Sequence, residues 1–269
     1  MQNKASEVKS FLTKKIIHDK WSSDYRTSEN EIFFELALKY ILKKIKPNNQ
    51  YPFLDVGCGY GTKSILLAKN NQRVVALDYS KNAIEKFKDN IKNDNSQIIK
   101  IMQGDITSLN LKNDSFKYIL CWGVLMHVVE IEKAISEVSR VLSPGGIVII
   151  SENNMHSIFR RIILPLKKLI FSSKSNHQEI INNNGIERWF DIDGDKLIAR
   201  EANINNLINQ FSKNGLSIKE CISGQFTEYY TKFKSEKIKK IIHKFNNLWF
   251  RHIRYPLLST GVIIVFQKD

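Results

Sequence analysis

The run DVGCGYG at Asp55–Gly61 carries the clearest chemistry in this sequence. Gly57, Gly59 and Gly61 lack Cβ atoms, so the chain can turn tightly and a ligand can lie against bare backbone amides at a helix N-terminus. The spacing is GxGxG, not the GxGxxG of the dinucleotide fingerprint. The acidic Asp55 before the first glycine suits a ligand with a positive amino group better than a pyrophosphate. About twenty residues further on, VVALDYS ends a second strand with Asp78, whose carboxylate can accept hydrogen bonds from both hydroxyls of a ribose. The competing role for Asp78 is N-cap of the next helix, a position Ser80 could fill instead.

With QGDITSL at Gln103–Leu109, FKYILCWGVLMHV at Phe116–Val128 and RVLSPGG at Arg140–Gly146, these segments form an ordered set over about Tyr51 to Ser151. The set resembles the class I S-adenosylmethionine-dependent methyltransferases of the small-molecule type. The resemblance implies S-adenosyl-L-methionine as cofactor, with Asp55 and Gly57 near its methionine end, and Cys58, Gly59 and Gly61 completing the turn. Asp78 would hold the ribose, with Tyr79 beside it. Asp105 would reach the adenine amino group and Ile106 the ring; the alternatives are a loop or N-cap aspartate and an ordinary core isoleucine. Trp122, at the end of the fourth strand, would stand near the methyl group or belong to the core. His127 is the nearest titratable group and a candidate general base, with a buried, hydrogen-bonded histidine of no catalytic role as the alternative. Methyl transfer needs little acid–base chemistry when the acceptor is already nucleophilic, so the protein's main task would be alignment and exclusion of water.

The elements that must position these residues follow from periodicity. Helical spacing up to about residue 47 (Ile32, Phe33, Leu36, Leu38, Tyr40, Ile41) predicts two helices ahead of the core, the second stopped by Pro47. Strands at Phe53–Val56, Arg73–Leu77, Ile98–Met102, Tyr118–Trp122 and Ile147–Ser151 are interleaved with helices at Thr62–Lys69, Lys81–Ile91 and Glu132–Leu142. That rhythm calls for a doubly wound, Rossmann-like α/β sheet, mostly parallel with an antiparallel last strand. Ser143–Gly146 reads as a tight helix-to-strand turn. The rhythm breaks after Ser151 and resumes with a helix Ala202–Lys213, a strand Leu216–Cys221, a basic helical stretch around Ser235–Arg251 and a strand Gly261–Gln267. The expected organisation is a helical N-terminal extension over residues 1–48 and a methyltransferase domain over 49–269, with helical insertions at about 152–195 and 224–258.

Composition narrows the class. Hydrophobic residues make up 42% of the 269, enough for one well-packed core. Cys58, Cys121 and Cys221 are an odd, scattered trio with neither disulfide nor metal-site spacing, so no metal is expected. No stretch approaches the roughly 20 apolar residues of a membrane span and no signal peptide is visible. The cytoplasm is the expected address, with peripheral contact at the inner membrane surface as its extension. Lys+Arg number 41 against 27 Asp+Glu, a formal charge of +14. Either this biases the surface towards phosphates, nucleic acid or anionic lipid, or it follows from a composition crowded with Ile, Asn and Lys.

The insertions carry the acceptor expectations. IFRRIILPLKKLIF at residues 158–171 is read as a lid or an anionic-lipid contact, and the basic amphipathic stretch 235–254 as a second substrate or lipid element. Phe226, Tyr229, Tyr230 and Phe233, like Trp189 and Phe190, suit either core or an aromatic, terpenoid or sugar acceptor. Trp21 and Tyr25 would fold over the cofactor or anchor their helix. The expected reaction is methyl transfer to oxygen or nitrogen of a small-molecule acceptor of sugar, lipid-linked or natural-product type. RNA methylation and NAD-dependent oxidoreduction are the alternatives. CWGV stands where amino-methylases of nucleic acids carry an NPPY-type tetrapeptide, which weighs against a base-amino acceptor.

Overall fold

The computed structural model describes residues 2–25, 27–91, 97–163, 177–192 and 194–269. Three helices, α1 (Gln2–Leu12), α2 (Lys15–Tyr25) and α3 (Ser28–Ile45), precede the sheet. The Thr27 side chain caps α3 by accepting the Asn30 N–H at 3.3 Å, and Lys46, with φ 46°, ends it in a left-handed turn just before Pro47. Two helices were expected here. The third appears because the first segment turns after Leu12, whose carbonyl accepts from the His18 ring at 2.7 Å, with Lys14 N–H closing the turn on the Phe11 carbonyl at 2.9 Å.

β1 (Phe53–Val56), α4 (Thr62–Lys69), β2 (Val74–Asp78), α5 (Lys81–Ile91), β3 (Ile99–Gln103), β4 (Phe116–Trp122), α6 (Ile131–Val141) and β5 (Leu142–Asn153) follow. They are succeeded by β6 (His177–Asn182), β7 (Gly185–Ile192), β8 (Asp195–Ala202), α7 (Ile204–Lys213), β9 (Leu216–Ser223), α8 (Glu236–His252) and β10 (Gly261–Lys268). The main sheet runs β3-β2-β1-β4-β5-β10-β9. β1 to β5 pair in parallel, whereas β10 is antiparallel to both its neighbours. Strand order reverses between β1 and β4, which opens a crevice beyond their carboxyl ends. One face of the sheet packs on α6 and α7 through residues such as Ile135, Val138 and Phe211. The other packs on α3, α4 and α8 through Phe33, Leu38, Leu67 and Phe250.

Two local readings change. Ser143–Gly146 is no free turn: it forms the irregular start of β5, where Ser143 Oγ donates to the Phe116 carbonyl at 3.1 Å and the register against β4 shifts. The first insertion is not helical where it is described after residue 176. β6, β7 and β8 form a separate three-stranded antiparallel sheet, with Gly185, φ 136°, where β7 begins and Gly194, φ 83°, just ahead of β8. Among the described residues of this insertion a short wide turn, Phe159–Ile163, represents the helical expectation, and residues 164–176, including the whole second half of 158–171, lie outside the described residues.

The small sheet is fixed to the main body by Arg200, 3% exposed. Its guanidinium pairs with Glu187 at 2.8 Å and donates to the carbonyls of Leu125 and Val128, both at 2.9 Å. The segment after β4 is thereby tied to β8. Phe11 and Ile17 pack on Leu197, joining α1 and α2 to the same sheet. Among the described residues, no helix is long and apolar enough to cross a membrane.

Candidate active site

The crevice at the strand ends is a cavity of about 1190 Å³, roofed by α1 and α2 and bordered by the small sheet and the segment after β9. The glycine turn forms its floor. The amides of Gly57 and Cys58 donate to the Leu77 carbonyl at 2.7 and 3.0 Å, which docks the turn on the end of β2. Gly61 has φ +85° and faces the Phe87 ring so closely that a Cβ would lie 2.0 Å from it. Gly59 has φ +53° and nothing within 4 Å of a Cβ position; its bare face is turned to the cavity wall.

Asp55 stands behind this wall, 2% exposed, and accepts a hydrogen bond from Ser64 Oγ at 2.5 Å. Burial pushes its carboxyl up to about 6. Its contact is with the first turn of α4, so it shapes the glycine turn from within. Asp78 lies on the wall, where Oδ2 accepts the Gly59 N–H and Oδ1 the Ser80 N–H, each at 2.8 Å. Burial raises its pKa against these bonds. Ser80 Oγ accepts the Ala83 N–H at 3.3 Å and caps α5, so the capping task does not fall to Asp78 alone. Cys58 and the partly exposed Tyr79 border the same space.

Asp105 and Ile106 lie after β3 on the adjacent wall. Asp105 Oδ1 accepts from the backbone and hydroxyl of Thr107, both at 2.8 Å, while Oδ2 accepts from Lys9 of α1 at 2.7 Å. Burial opposes its charge, but the bonds from Lys9 and Thr107 outweigh burial and hold the carboxyl below its ordinary value. Ile106 is buried and serves the core as well as the wall. Trp122 ends β4 on the wall, its ring meeting Phe34 edge-on at 5.8 Å.

His127 also reaches the cavity, stacked on Trp21 at 4.6 Å between ring centroids. Burial pushes its pKa down to about 4. The neutral ring therefore uses Nδ1–H to donate to the Ile198 carbonyl at 2.7 Å, and such a ring is a weak base at neutral pH. The structure thus gives His127 the structural contacts that its alternative reading described.

Three groups that sequence reasoning did not single out gather here. Glu152, near the end of β5, is 4% exposed; its Oε1 accepts the amides of Val124 and Leu125 at 3.2 and 2.9 Å. Burial pushes its carboxyl up to about 8. Glu228, after β9, is likewise raised by burial and accepts from Asn153 Nδ2 at 3.3 Å. The Glu228 charge, then burial, raises the Tyr25 phenol. Lys9, already described, is the third. The only legible signal was the polar run SENN closing an apolar strand. Among the described residues, no group of three or more His, Cys, Asp or Glu side chains is arranged to hold a metal ion.

Comparison with known proteins places this geometry. The family model described as "Methyltransferase domain" matches residues 47–246. Demethylmenaquinone methyltransferase of Staphylococcus aureus (strain MRSA252) is 27% identical over 173 residues, 59% of this chain and 71% of the relative. The protein of the same name from Staphylococcus haemolyticus (strain JCSC1435) is 26% identical over 201 residues, 69% of this chain and 83% of the relative. Magnesium protoporphyrin IX methyltransferase from Synechocystis PCC 6803, solved with bound SAH, superposes with a TM-score of 0.64 at 14% identity, covering 97% of this chain and 98% of that one. The SAM-dependent methyltransferase from Methanosarcina mazei superposes at 0.57 and 17% identity, covering 84% and 96%. With the family match, the oxidoreductase alternative falls. The chain belongs to the methyltransferase-domain family and has the class I, Rossmann-like fold of its S-adenosylmethionine-dependent members.

Proposed function

We propose that this chain transfers the methyl group of S-adenosylmethionine to an oxygen or nitrogen atom of a small-molecule acceptor held in the cavity beyond β1–β5. The observation that carries this reading is the open face of Gly59 beside the Asp78 carboxylate, at the point where strand order reverses. A Cβ at Gly59 would project into free space that an extended ligand can fill. The Asp78 oxygens accept the amides of Gly59 and Ser80, and a carboxylate, with about four lone-pair sites, has capacity left for a ribose hydroxyl.

On this reading the turn Gly57–Gly61, with Cys58, would hold the methionine portion, and Asp55 would hold the turn through Ser64. Asp78 and Tyr79 would hold the ribose. Asp105 and Ile106 would hold the adenine once Lys9 gives up its share of the Asp105 carboxylate. Trp122 would stand by the reacting carbon. The cofactor, when bound, supplies an electrophilic methyl group on a sulfonium. The chain's own contribution is to align the acceptor in line with that bond and keep water out, beneath the α1–α2 roof.

The acceptor wall carries Trp21, Tyr25, Phe190 and Tyr229 together with Asn153 and the raised carboxyls Glu152 and Glu228. Aromatic faces beside carboxyls suit a sugar, a lipid-linked ring or an aromatic natural product bearing a hydroxyl or amine. The Staphylococcus relatives, by name, act on demethylmenaquinone, which makes quinone-like lipids the first acceptors to try. Incubating the protein and methyl-labelled cofactor with a small-molecule extract should give a labelled product of low mass. Label found only in RNA would replace the small-molecule reading with the polymer one.

A further inference from the structure

α8 carries three adjacent rows of side chains. Its inner row, with Asn246, Trp249 and Phe250 buried, packs on the body of the protein, the Phe250 ring meeting Phe33 at 5.4 Å. Beside it Ile238, Ile241, Phe245 and Leu248 recur at helical spacing yet stand 39%, 69%, 45% and 57% exposed. The next row holds Lys237, Lys240, Lys244 and Arg251, all exposed. The loop that follows leaves Ile253, Tyr255 and Leu257 at 50% exposure or more. Single exposed apolar residues are ordinary; a continuous row along one helix marks an interaction surface.

Charge selects the partner. From Lys232 to Arg254 there are eight Lys and Arg against one acid, Glu236, which Lys239 already pairs at 2.7 Å. A second copy of the same face would set this cationic surface against itself, on a chain of formal charge +14. A polyanion such as RNA would use the lysines but leave the isoleucines and leucine in water. An apolar row flanked by a lysine row on a helix too short and too charged to span a bilayer matches a helix lying in the plane of an anionic lipid surface. The segments on either side of α8 contribute Tyr229, Thr231, Lys232, Thr260 and Gly261 to the cavity wall, so a docked α8 would bring a bilayer close to the acceptor side.

We propose that α8 docks the protein on the surface of an anionic bilayer, its apolar row in the headgroup–acyl boundary and its lysine row against the lipid phosphates. This goes beyond methyl transfer and stands whether or not that reading holds. The test is co-sedimentation of the full chain with vesicles of phosphatidylglycerol and phosphatidylcholine in equal parts, and with phosphatidylcholine alone. Binding to the mixed vesicles is expected, weakening with added salt and falling by more than about tenfold in a Lys237→Glu/Lys240→Glu/Lys244→Glu variant. Ile241→Ser/Leu248→Ser, at exposed positions, should weaken it comparably with the melting temperature unchanged. Three results overturn the proposal: no binding of folded wild-type protein to the mixed vesicles; equal binding to both vesicle types, unaffected by the lysine variant; or serine variants that change only the oligomeric state in sedimentation velocity.

Discussion

Lys9 Nζ in α1 lies 2.7 Å from Asp105 Oδ2 after β3, an ion pair between residues 96 positions apart. It pins the N-terminal roof to the carboxylate that the methyltransferase reading assigns to the adenine amino group. The roof has further ties: Tyr60 OH donates to Asp19 at 3.0 Å, Trp21 stacks on His127, and Lys14 pairs with Asp195. On the proposed reading, roof and cofactor would share Asp105.

The pair is about a quarter exposed on both sides, so its worth to global stability is at most about 1 kcal/mol. Lys9→Ala should therefore leave the melting temperature nearly unchanged while raising amide hydrogen exchange in α1 and α2. It should also speed S-adenosylmethionine association in stopped flow, because Asp105 no longer has to be vacated. Unchanged exchange in α1 would show that the pair does not hold the roof.

Two glycines of one turn should fail in different ways. Gly61→Ala would strain a left-handed residue and drive a Cβ into the Phe87 ring, so a loss of stability on the order of 2–3 kcal/mol is expected by thermal or urea unfolding. Gly59→Ala meets open space and should cost about 1 kcal/mol through its backbone alone. Its methyl group would nevertheless occupy the bare face of the turn and lower cofactor affinity by more than about tenfold. Comparable affinity in wild type and Gly59→Ala would place the ligand elsewhere.

Glu152 should leave a signature in the pH dependence of stability. Its folded pKa is raised from 4.5 to about 8, so the folded state holds a proton that the unfolded state gives up, and stability falls as pH rises between these values. Burial of His127, lowered from 6.5 to about 4, acts with the opposite sign: the unfolded state takes up a proton there, so stability rises with pH across that lower window. Above 6.5 the His127 compensation dies away within about one pH unit. Wild-type stability should therefore drop by about 1 kcal/mol from pH 6.5 to 8. Glu152→Gln, which keeps an oxygen for the amides of Val124 and Leu125, should flatten that slope in urea titrations; an unaltered slope would assign it to another group.

The sheet and the glycine turn were legible because their signals are local. FLDV before GCGYG, VVALDYS twenty positions on and the apolar run at Gly261–Gln267 each specify an element through neighbours in sequence. What was not legible depends on tertiary proximity. Lys9 is one lysine among many until α1 folds over β3. Glu152 is one more polar residue after an apolar strand until the segment after β4 closes over it with two backbone amides. In the small sheet, strands of this length amid a polar, Asn-rich stretch have weak alternation, because both faces of β8 are covered: Ile198, Arg200 and Ala202 are buried on one face, and Leu197 packs on Phe11 and Ile17 from the other. The histidine at 127 has the residue type of a base, but the carbonyl and the stacked indole that engage its ring come from segments far away in sequence.

The most direct measurement is isothermal titration of the purified full chain with S-adenosylmethionine, alongside Asp78→Ala. One site per chain is predicted for wild type, with affinity lost by more than about tenfold in the variant, whose removed carboxylate would have carried the ribose bonds. Absence of binding to folded wild-type protein, or equal binding by Asp78→Ala, would contradict the account.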